Sequence, residues 1–266
     1  MIKFSDIFGY IYKNKISCNK YLGQNYLISE NIAFKMASLL NIKEDDLVFE
    51  AGSGYGSVSF FLSKYSCRKI VLNDIDEKST SFLKKIFKNI DVIQKSYLNV
   101  DVNKYTKIIS SVPYYITTKT IEYFLINGVN VKKYVFLVQK DFLKRLKSDV
   151  GSKDYGPLSI IIKNFFLLRE EFDVTKNSFL PMPHVKSSVF SILTKKKNIS
   201  LDRKKYLFFL KKMFFNRRKN IYKNLFSYTN DKEMTINILK QNNLSVSLRP
   251  EQIESNIYLN IFKMTL

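Results

Sequence analysis

The chain has 266 residues, of which 45% are hydrophobic and 25% are charged, as is typical of a globular protein with a buried core. Its 44 lysines and arginines outnumber 23 aspartates and glutamates, and the net charge of +21 favours a polyanionic partner unless biased gene composition produced the excess. Cys18 and Cys67 are too few for a disulfide framework, no residues have metal-site spacing, and no apolar stretch reaches the ~18 residues of a membrane span. We therefore expect a cytoplasmic protein without a metal or a membrane anchor.

Helical and strand patterns alternate over residues 1–194. Apolar residues at helical spacing predict helices, the first with Ser29 as its N-cap, and short apolar runs predict buried strands between them. The predicted helices cover residues 29–40, 57–65, 78–88 and 119–127. The predicted strands cover residues 47–49, 69–72, 91–94, 107–110 and 134–138. This alternation indicates an α/β fold with a parallel sheet under helices.

The basic charge is concentrated in the C-terminal part of the chain. Residues 195–266 carry a net charge of +11 in 72 residues, whereas residues 1–194 carry +10. The change falls at residues 195–198 (KKKN), and beyond them residues 203–215 and 235–241 have helical patterns without a strand pattern. We predict an α/β domain over residues 1–194 and a small, basic, all-helical domain over residues 195–266.

A glycine-rich turn follows the first predicted strand. Residues 50–56 (EAGSGYG) place Gly52, Gly54 and Gly56 between that strand and the next helix. Glycines allow the backbone to approach a ligand closely. The spacing G-x-G-x-G differs from the G-x-G-x-x-G of dinucleotide-binding proteins, and it indicates a different cofactor that contains adenosine.

An acidic residue ends the second predicted strand. Asp74 lies 22 residues after Gly52, where a carboxylate can accept hydrogen bonds from both hydroxyls of a ribose. Asp76 is near enough along the chain to serve equally well, and either residue could be an ordinary loop acid. Because the glycine turn accompanies it, we predict Asp74 as the ribose ligand and keep Asp76 as the alternative.

A polar residue, a proline and an aromatic follow the strand over residues 107–110. Ser111 and the backbone carbonyl at or before Pro113 can accept hydrogen bonds from an exocyclic amine, and the Tyr114 ring can stack on a base. The alternative is a turn that only ends the strand. We predict a site for a nucleobase amine.

These segments, together with others in the same order, resemble the ribosomal RNA adenine dimethyltransferases, and most closely the small-subunit branch of that family. The resemblance runs from Lys20 to the C-terminus. The similar segments are residues 23–27 (GQNYL), 50–56, 74, 111–114 (SVPY), 139–140 (QK), 152–159 (SKDYGPLS), 179–185 (FLPMPHV), 215–219 (FNRRK), 224–225 (NL) and 248–251 (LRPE). The number of ordered matches makes the resemblance specific, although each match alone is weak.

The resemblance implies a Rossmann-like class I methyltransferase sheet and a small C-terminal helical domain. The implied reaction is transfer of two methyl groups from S-adenosylmethionine to the N6 amine of adjacent adenines in small-subunit rRNA. The implied partner is the immature 30S-type ribosomal subunit, and we expect the enzyme to be a monomer.

The resemblance also assigns residues. The implied cofactor-binding residues are Asn25, Leu27, Gly52, Gly54, Asp74, Ser96 and Ser111. The implied catalytic residues are Ser111, Pro113, Tyr114 and Phe179, with Tyr114 and Phe179 on the two sides of a flipped adenine. In the basic domain, Arg217, Arg218 and Lys219 are expected to contact RNA phosphates, unless they form an ordinary solvated helix face.

Three residues depart from the family pattern. Ser96 stands where the family usually has aspartate, Ser111 where it usually has asparagine, and His184 where it usually has lysine. Both serines have a shorter reach. Ser96 carries no charge, so cofactor affinity is expected to fall, whereas the change at Ser111 matters less because related amino-methyltransferases have S-P-P-Y motifs and the Pro113 carbonyl remains. We expect His184, the chain's single histidine, to contact RNA or solvent and to take no part in catalysis.

Two other functions stay open. Ser96 and Ser111 favour an RNA-binding assembly factor built on a weakened methyltransferase fold. A methyltransferase acting on large-subunit rRNA is the second alternative, although residues 155–156 (YG) and 248–251 (LRPE) favour the small-subunit branch.

Overall fold

The computed structural model describes residues 3–13, 23–195 and 201–266. Cys18, Lys20 and most of the basic run at residues 195–198 lie outside the described residues, whereas Cys67 is a half-buried free thiol. The chain forms two compact units. One contains Met1–Leu143 and Leu168–Thr194, and the other contains Lys144–Leu167 and Lys195–Leu266.

The first unit contains a seven-stranded sheet in the order β4-β3-β2-β5-β6-β9-β7 and a two-stranded ribbon of β1 and β8. In chain order the strands are β1 (Tyr26–Leu27), β2 (Leu47–Ala51), β3 (Lys69–Asp74), β4 (Asp91–Gln94), β5 (Lys107–Ser111), β6 (Lys133–Gln139), β7 (Phe166–Val174), β8 (Phe179–Leu180) and β9 (Ser187–Thr194). The pairings from β4 through β6 are all parallel. The five predicted strands and the α/β fold are therefore confirmed.

The strands β7 and β9 were not predicted from the sequence. β9 pairs antiparallel with β6, with Phe190 opposite Phe136. Serines interrupt the apolar pattern of β9, but the Ser188 hydroxyl donates to Asp173 and the Ser191 hydroxyl donates to Glu171, both on β7 and both at 2.5 Å. Hydrogen bonds of this kind make buried hydroxyls tolerable, and a local hydrophobic pattern does not reveal them.

The helices of the first unit surround this sheet. They are α1 (Phe4–Lys13), α2 (Glu30–Leu39), α3 (Ser57–Leu62), α4 (Glu77–Ile86), α5 (Thr117–Asn127) and the start of α6 (Lys140–Leu146). The four predicted helices are present, although α3 ends three residues before the predicted end at residue 65. The helix α1 was not predicted, and it buries Phe4, Ile7 and Ile11 in the core along one face.

The second unit is helical, and it contains more of the chain than residues 195–266. Its helices are α7 (Pro157–Phe165), α8 (Arg203–Met213), α9 (Ile221–Thr229), α10 (Lys232–Gln241) and α11 (Ser255–Met264). The segment with α7 joins this unit because the buried Asn164 amide donates to the Tyr206 hydroxyl at 2.8 Å and to the Ser255 carbonyl at 2.9 Å. Across the described ranges, none of the helices is both long and apolar enough to cross a membrane.

Candidate active site

One cleft opens where the strand order of the sheet reverses. From β2 the chain proceeds through β3 to β4 on one side of the sheet, and it then returns to β5 and proceeds to β6 on the other side. Because the direction changes between β2 and β5, the carboxyl ends of these two strands flank a crevice. This cleft has a volume of about 1060 Å³ including its open mouth. It brings together every residue assigned above to cofactor binding or catalysis: Asn25, Leu27, Gly52, Gly54, Asp74, Ser96, Ser111, Pro113, Tyr114 and Phe179.

The glycine turn after β2 has a left-handed backbone at Gly52, Gly54 and Gly56, with φ of +69°, +53° and +88°. These glycines are needed for different reasons. A Cβ on Gly52 would meet, within 4 Å, only the Ser111 carbonyl at 3.9 Å, so this residue faces open space in the cleft. A Cβ on Gly56 would lie 2.8 Å from the Phe87 ring, so Gly56 is required by core packing.

Asp74, at the end of β3, connects that strand to the glycine turn. Its Oδ2 accepts from the Gly54 N–H at 2.7 Å, and its Oδ1 accepts from the Asp76 N–H at 2.9 Å. Burial raises the pKa of the Asp74 carboxyl, although these backbone hydrogen bonds oppose the shift. Asp76 instead caps α4 by accepting from the Ser79 N–H and hydroxyl. Of the two candidate acids, Asp74 lines the cleft.

Glu50, in β2 two residues before Gly52, also lines the cleft but was not singled out as a site residue from the sequence. It is buried and accepts a hydrogen bond from the Ser59 hydroxyl at 2.5 Å. Burial raises the pKa of Glu50 to about 8, and the nearby charge of Asp74 adds to the shift. Its place after a buried strand and before the glycines was the available signal. With no cation bound beside it, Glu50 therefore favours its protonated form.

The segment after β5 lies on the other side of the crevice. The Ser111 side chain is half-buried at the cleft. The Pro113 carbonyl accepts from the Ile116 N–H and the Thr117 hydroxyl, both at 3.2 Å, and these bonds close the turn. Of the two carbonyls left open by the sequence, that of Val112 is therefore the better acceptor for a substrate amine.

Two aromatic residues of the predicted base site also line this part of the cleft. The Tyr114 hydroxyl lies 2.6 Å from the Ser187 hydroxyl, and burial raises the pKa of Tyr114. Phe179 is buried in the β1–β8 ribbon, where it pairs with Leu27. The Ser57 hydroxyl donates to the Leu27 carbonyl at 2.5 Å and so links the ribbon to the start of α3. Residues 26–27 and residues 179–180, distant in sequence, thus form one wall of the cleft.

Ser96 lies in the loop after β4, and a buried asparagine holds this loop. The Asn73 amide donates to the Ile93 carbonyl at 3.0 Å and to the Lys95 carbonyl at 2.9 Å. Tyr97, which the sequence did not single out, also lines the cleft, and its hydroxyl lies 2.9 Å from Thr120 Oγ1. Burial raises the pKa of Tyr97 to about 12, so its hydroxyl stays neutral at physiological pH.

The three basic residues predicted to bind RNA have different surroundings in the second unit. Arg217 donates to the Lys153 carbonyl at 2.5 Å and to the Tyr155 carbonyl at 2.9 Å, so its guanidinium orders the loop before α7. Arg218 and Lys219 are exposed. His184 is also exposed, in the first unit, as expected for a residue outside the catalytic group.

Comparison with known proteins agrees with this architecture. The sequence model of the family described as ribosomal RNA adenine dimethylase matches residues 15–264. The ribosomal RNA small subunit methyltransferase A of Malacoplasma penetrans is 32% identical over 257 residues, which cover 95% of this chain and 93% of that protein. The protein of the same name from Mesoplasma florum is 34% identical over 267 residues, 94% of this chain and 99% of that protein.

Solved structures share the fold. A dimethyladenosine transferase from Plasmodium falciparum superimposes with a TM-score of 0.75 at 23% identity, covering 88% of this chain and 94% of that one. The 23S rRNA methyltransferase ErmE superimposes with a TM-score of 0.66 at 18% identity, covering 90% and 98%. The fold is the Rossmann-like α/β fold of the class I methyltransferases. Within that class, the chain belongs to the ribosomal RNA adenine dimethylase family.

Proposed function

We propose that this protein transfers two methyl groups in succession from S-adenosylmethionine to the N6 amine of adenines in small-subunit rRNA. The main support is that the glycine turn, Asp74 and the segment from Ser111 to Tyr114 line the same cleft. Membership of the ribosomal RNA adenine dimethylase family supports the same reaction.

The cleft fits the cofactor in its chemistry. The open face of Gly52 leaves room for close approach of a ligand to the backbone. Each Asp74 oxygen accepts one backbone N–H and keeps a lone pair for a ribose hydroxyl. Ser96 would contact the adenine of the cofactor, and Glu50 would pair with its ammonium group. When bound, S-adenosylmethionine supplies a methyl group on an electrophilic sulfonium.

The residues after β5 would prepare the target amine. An adenine N6 amine is a weak nucleophile because its lone pair is delocalised into the ring. Acceptors at Ser111 Oγ and the Val112 carbonyl would draw the amine protons out of the ring plane and so localise the lone pair. Tyr114 and Phe179 would hold the flipped ring by stacking. Orientation of this kind supplies a large part of the rate.

The substrate class rests on the family and on charge. The two relatives compared above are named as small-subunit rRNA methyltransferases. Residues 195–266 carry a net charge of +11, and the exposed Arg218 and Lys219 suit phosphate contacts. We place the enzyme in the cytoplasm, acting as a monomer on the immature small subunit.

A specific observation favours one competing function. Ser96 and Ser111, which line the cleft, replace longer family residues, and these changes are expected in an assembly factor that has lost catalysis. The large-subunit alternative draws no comparable support, since the likeness to ErmE at 18% identity concerns the fold.

The test is transfer of radioactive methyl groups from S-adenosylmethionine to purified ribosomal particles. Immature small subunits, mature small subunits and large subunits are compared at equal concentration. The proposal expects label in the immature small subunit alone. Label in the large subunit would favour the second alternative, and cofactor binding without any transfer would favour the assembly factor.

A further inference from the structure

The outer face of α8 and the turn after it expose two phenylalanines. Phe208 is 56% exposed and Phe215 is 80% exposed, whereas Tyr206, Phe209 and Leu210 on the opposite face are buried in the second unit. Isolated exposed aromatics are common and need no explanation. These two differ because every exposed neighbour that shares their face is a cation.

These positions follow one another along α8 and the turn after it. Exposed residues recur at intervals of three or four through Lys204, Phe208, Lys211, Phe215 and Arg218, and Lys212 lies four residues after Phe208 and three before Phe215. We call these six residues the α8 stripe. Residues at this spacing lie on the same side of a helix. Phe215 lies two residues past the end of α8, in a turn that its N–H closes by donating to the Lys212 carbonyl at 3.3 Å. Both rings are exposed at this spacing.

The charges of the α8 stripe are all positive. The acidic residue nearest to it in sequence, Asp202, caps the helix by accepting from the Lys204 and Lys205 N–H groups. The Lys212 ammonium lies 5.3 Å from the centroid of the Phe208 ring, so a cation already accompanies one aromatic surface. Cations interleaved with exposed rings are the arrangement that binds unpaired nucleic acid, with phosphates on the cations and bases on the rings.

We propose that the α8 stripe binds an unpaired segment of RNA, with one base stacked on Phe215 and another on Phe208. The inference rests on the proposed function only in taking rRNA as the polyanion. Seven residues at the rise of a helix span about 10 Å, more than the ~3.4 Å between stacked bases, so each ring takes its own base. A duplex would offer its phosphates but keep its bases stacked on each other, and it would leave both rings unused.

The test compares three RNA probes of equal strand length by fluorescence anisotropy. They are a 12-nucleotide oligoadenylate, an abasic 12-mer with the same phosphates, and a 12-base-pair duplex. Phe208→Ala and Phe215→Ala are each expected to weaken oligoadenylate binding about tenfold, the scale of one base–aromatic stack. Binding to the abasic strand and to the duplex should stay within about twofold of wild type. The matched control is Phe34→Ala, which removes a phenylalanine of similar exposure, 52%, from α2.

Equal losses on all three probes, or no loss on oligoadenylate, would overturn the inference. If Phe208→Ala and Phe215→Ala weaken binding to a protein of the small subunit but not to RNA, the α8 stripe binds a protein and the inference is wrong. The proposed function is judged separately, by methyl transfer with wild-type protein. If the wild-type protein transfers no methyl group but Phe215→Ala still weakens oligoadenylate binding, RNA binding by the α8 stripe is supported and the proposed methyl transfer is wrong.

Discussion

The carboxylate of Asp74 accepts a hydrogen bond from the backbone N–H of Gly54 at 2.7 Å, which ties the end of β3 to the glycine turn after β2. Two elements that are adjacent in the sheet but 20 residues apart in sequence thus form one ligand surface. The affinity for a ligand that binds the Asp74 carboxylate consequently depends on the conformation of the turn.

Substitutions of Asp74 and Asp76 should affect different properties of the protein. Asp74→Ala should weaken S-adenosylmethionine binding by ~1.5–3 kcal/mol, the scale of hydrogen bonds to a charged group. Asp76→Ala should leave that affinity nearly unchanged but cost ~0.5–2 kcal/mol of unfolding free energy, because Asp76 is the N-cap of α4. Calorimetric titration and thermal unfolding measure the two effects. If Asp76→Ala has the larger effect on affinity, the ribose assignment is wrong.

The glycines of the turn should respond differently to substitution. Gly52→Asp should leave the fold largely intact, with some loss of stability because φ is +69°, and should abolish cofactor binding because its side chain would project into the cleft beside Glu50 and Asp74. Gly56→Ala should lower the melting temperature, because its Cβ would meet Phe87 at 2.8 Å and Leu83 at 3.0 Å. Circular dichroism with cofactor titration distinguishes them. Normal cofactor affinity in folded Gly52→Asp would remove the turn from the site.

Glu50 should make stability depend on pH. Its folded-state pKa of about 8 lies above the ordinary value of 4.5, so its contribution to stability is fully present below pH 4.5 and is lost as the pH rises to about 8. Glu50→Gln keeps an acceptor for Ser59 and does not ionise. Relative to wild type, this variant should gain about 1 kcal/mol of unfolding free energy per pH unit across that range. Urea unfolding from pH 5 to 8 measures the gain, and a constant difference would contradict it.

Arg217 and Arg218 should have separable roles. Arg217→Ala should lower the unfolding free energy by ~1–3 kcal/mol, because it removes the donors to the Lys153 and Tyr155 carbonyls. Arg218→Ala should leave stability unchanged and weaken RNA binding, with the log–log salt slope reduced by ~0.7–0.9. Melting curves and binding at several salt concentrations give both quantities. Salt-independent wild-type binding would mean that the charge reflects composition bias.

Much of the fold was predictable because parallel strands buried on both faces are continuous apolar runs. The predicted strand over residues 69–72 and β3 (Lys69–Asp74) begin at the same residue. β9 could not be recognised in the same way, since Ser188 and Ser191 are satisfied by acids on β7 that a local pattern does not reveal. The expected boundary at residue 194 placed residues 157–165 in the first domain, but they form α7 of the second unit, where Asn164 is held by Tyr206 and Ser255. Contacts between residues so far apart in sequence are not visible in a local pattern.

The site was predictable at the ends of strands, where glycines, an acid and a proline stand in recognisable order. Properties that depend on packing were not predictable from the sequence. The raised pKa of Glu50 comes mainly from burial, with Asp74 adding to it, and Arg217 bonds to carbonyls more than 60 residues away in sequence. The Pro113 carbonyl was expected to be available, but its bonds to Ile116 and Thr117 became visible only in three dimensions.

The most direct test of the proposed reaction is mass mapping of N6,N6-dimethyladenosine in immature small subunits treated with wild type, Ser111→Ala, Ser111→Asn or Tyr114→Ala. Wild type should produce dimethylated adenines. Ser111→Ala should reduce turnover about 10- to 100-fold, or ~1.4–2.7 kcal/mol, with little change in cofactor affinity, because its hydroxyl acts on the amine. Ser111→Asn should match or exceed wild type, and Tyr114→Ala should be inactive. If all four bind the subunits and none methylates them, the protein is an assembly factor and the proposed reaction is wrong.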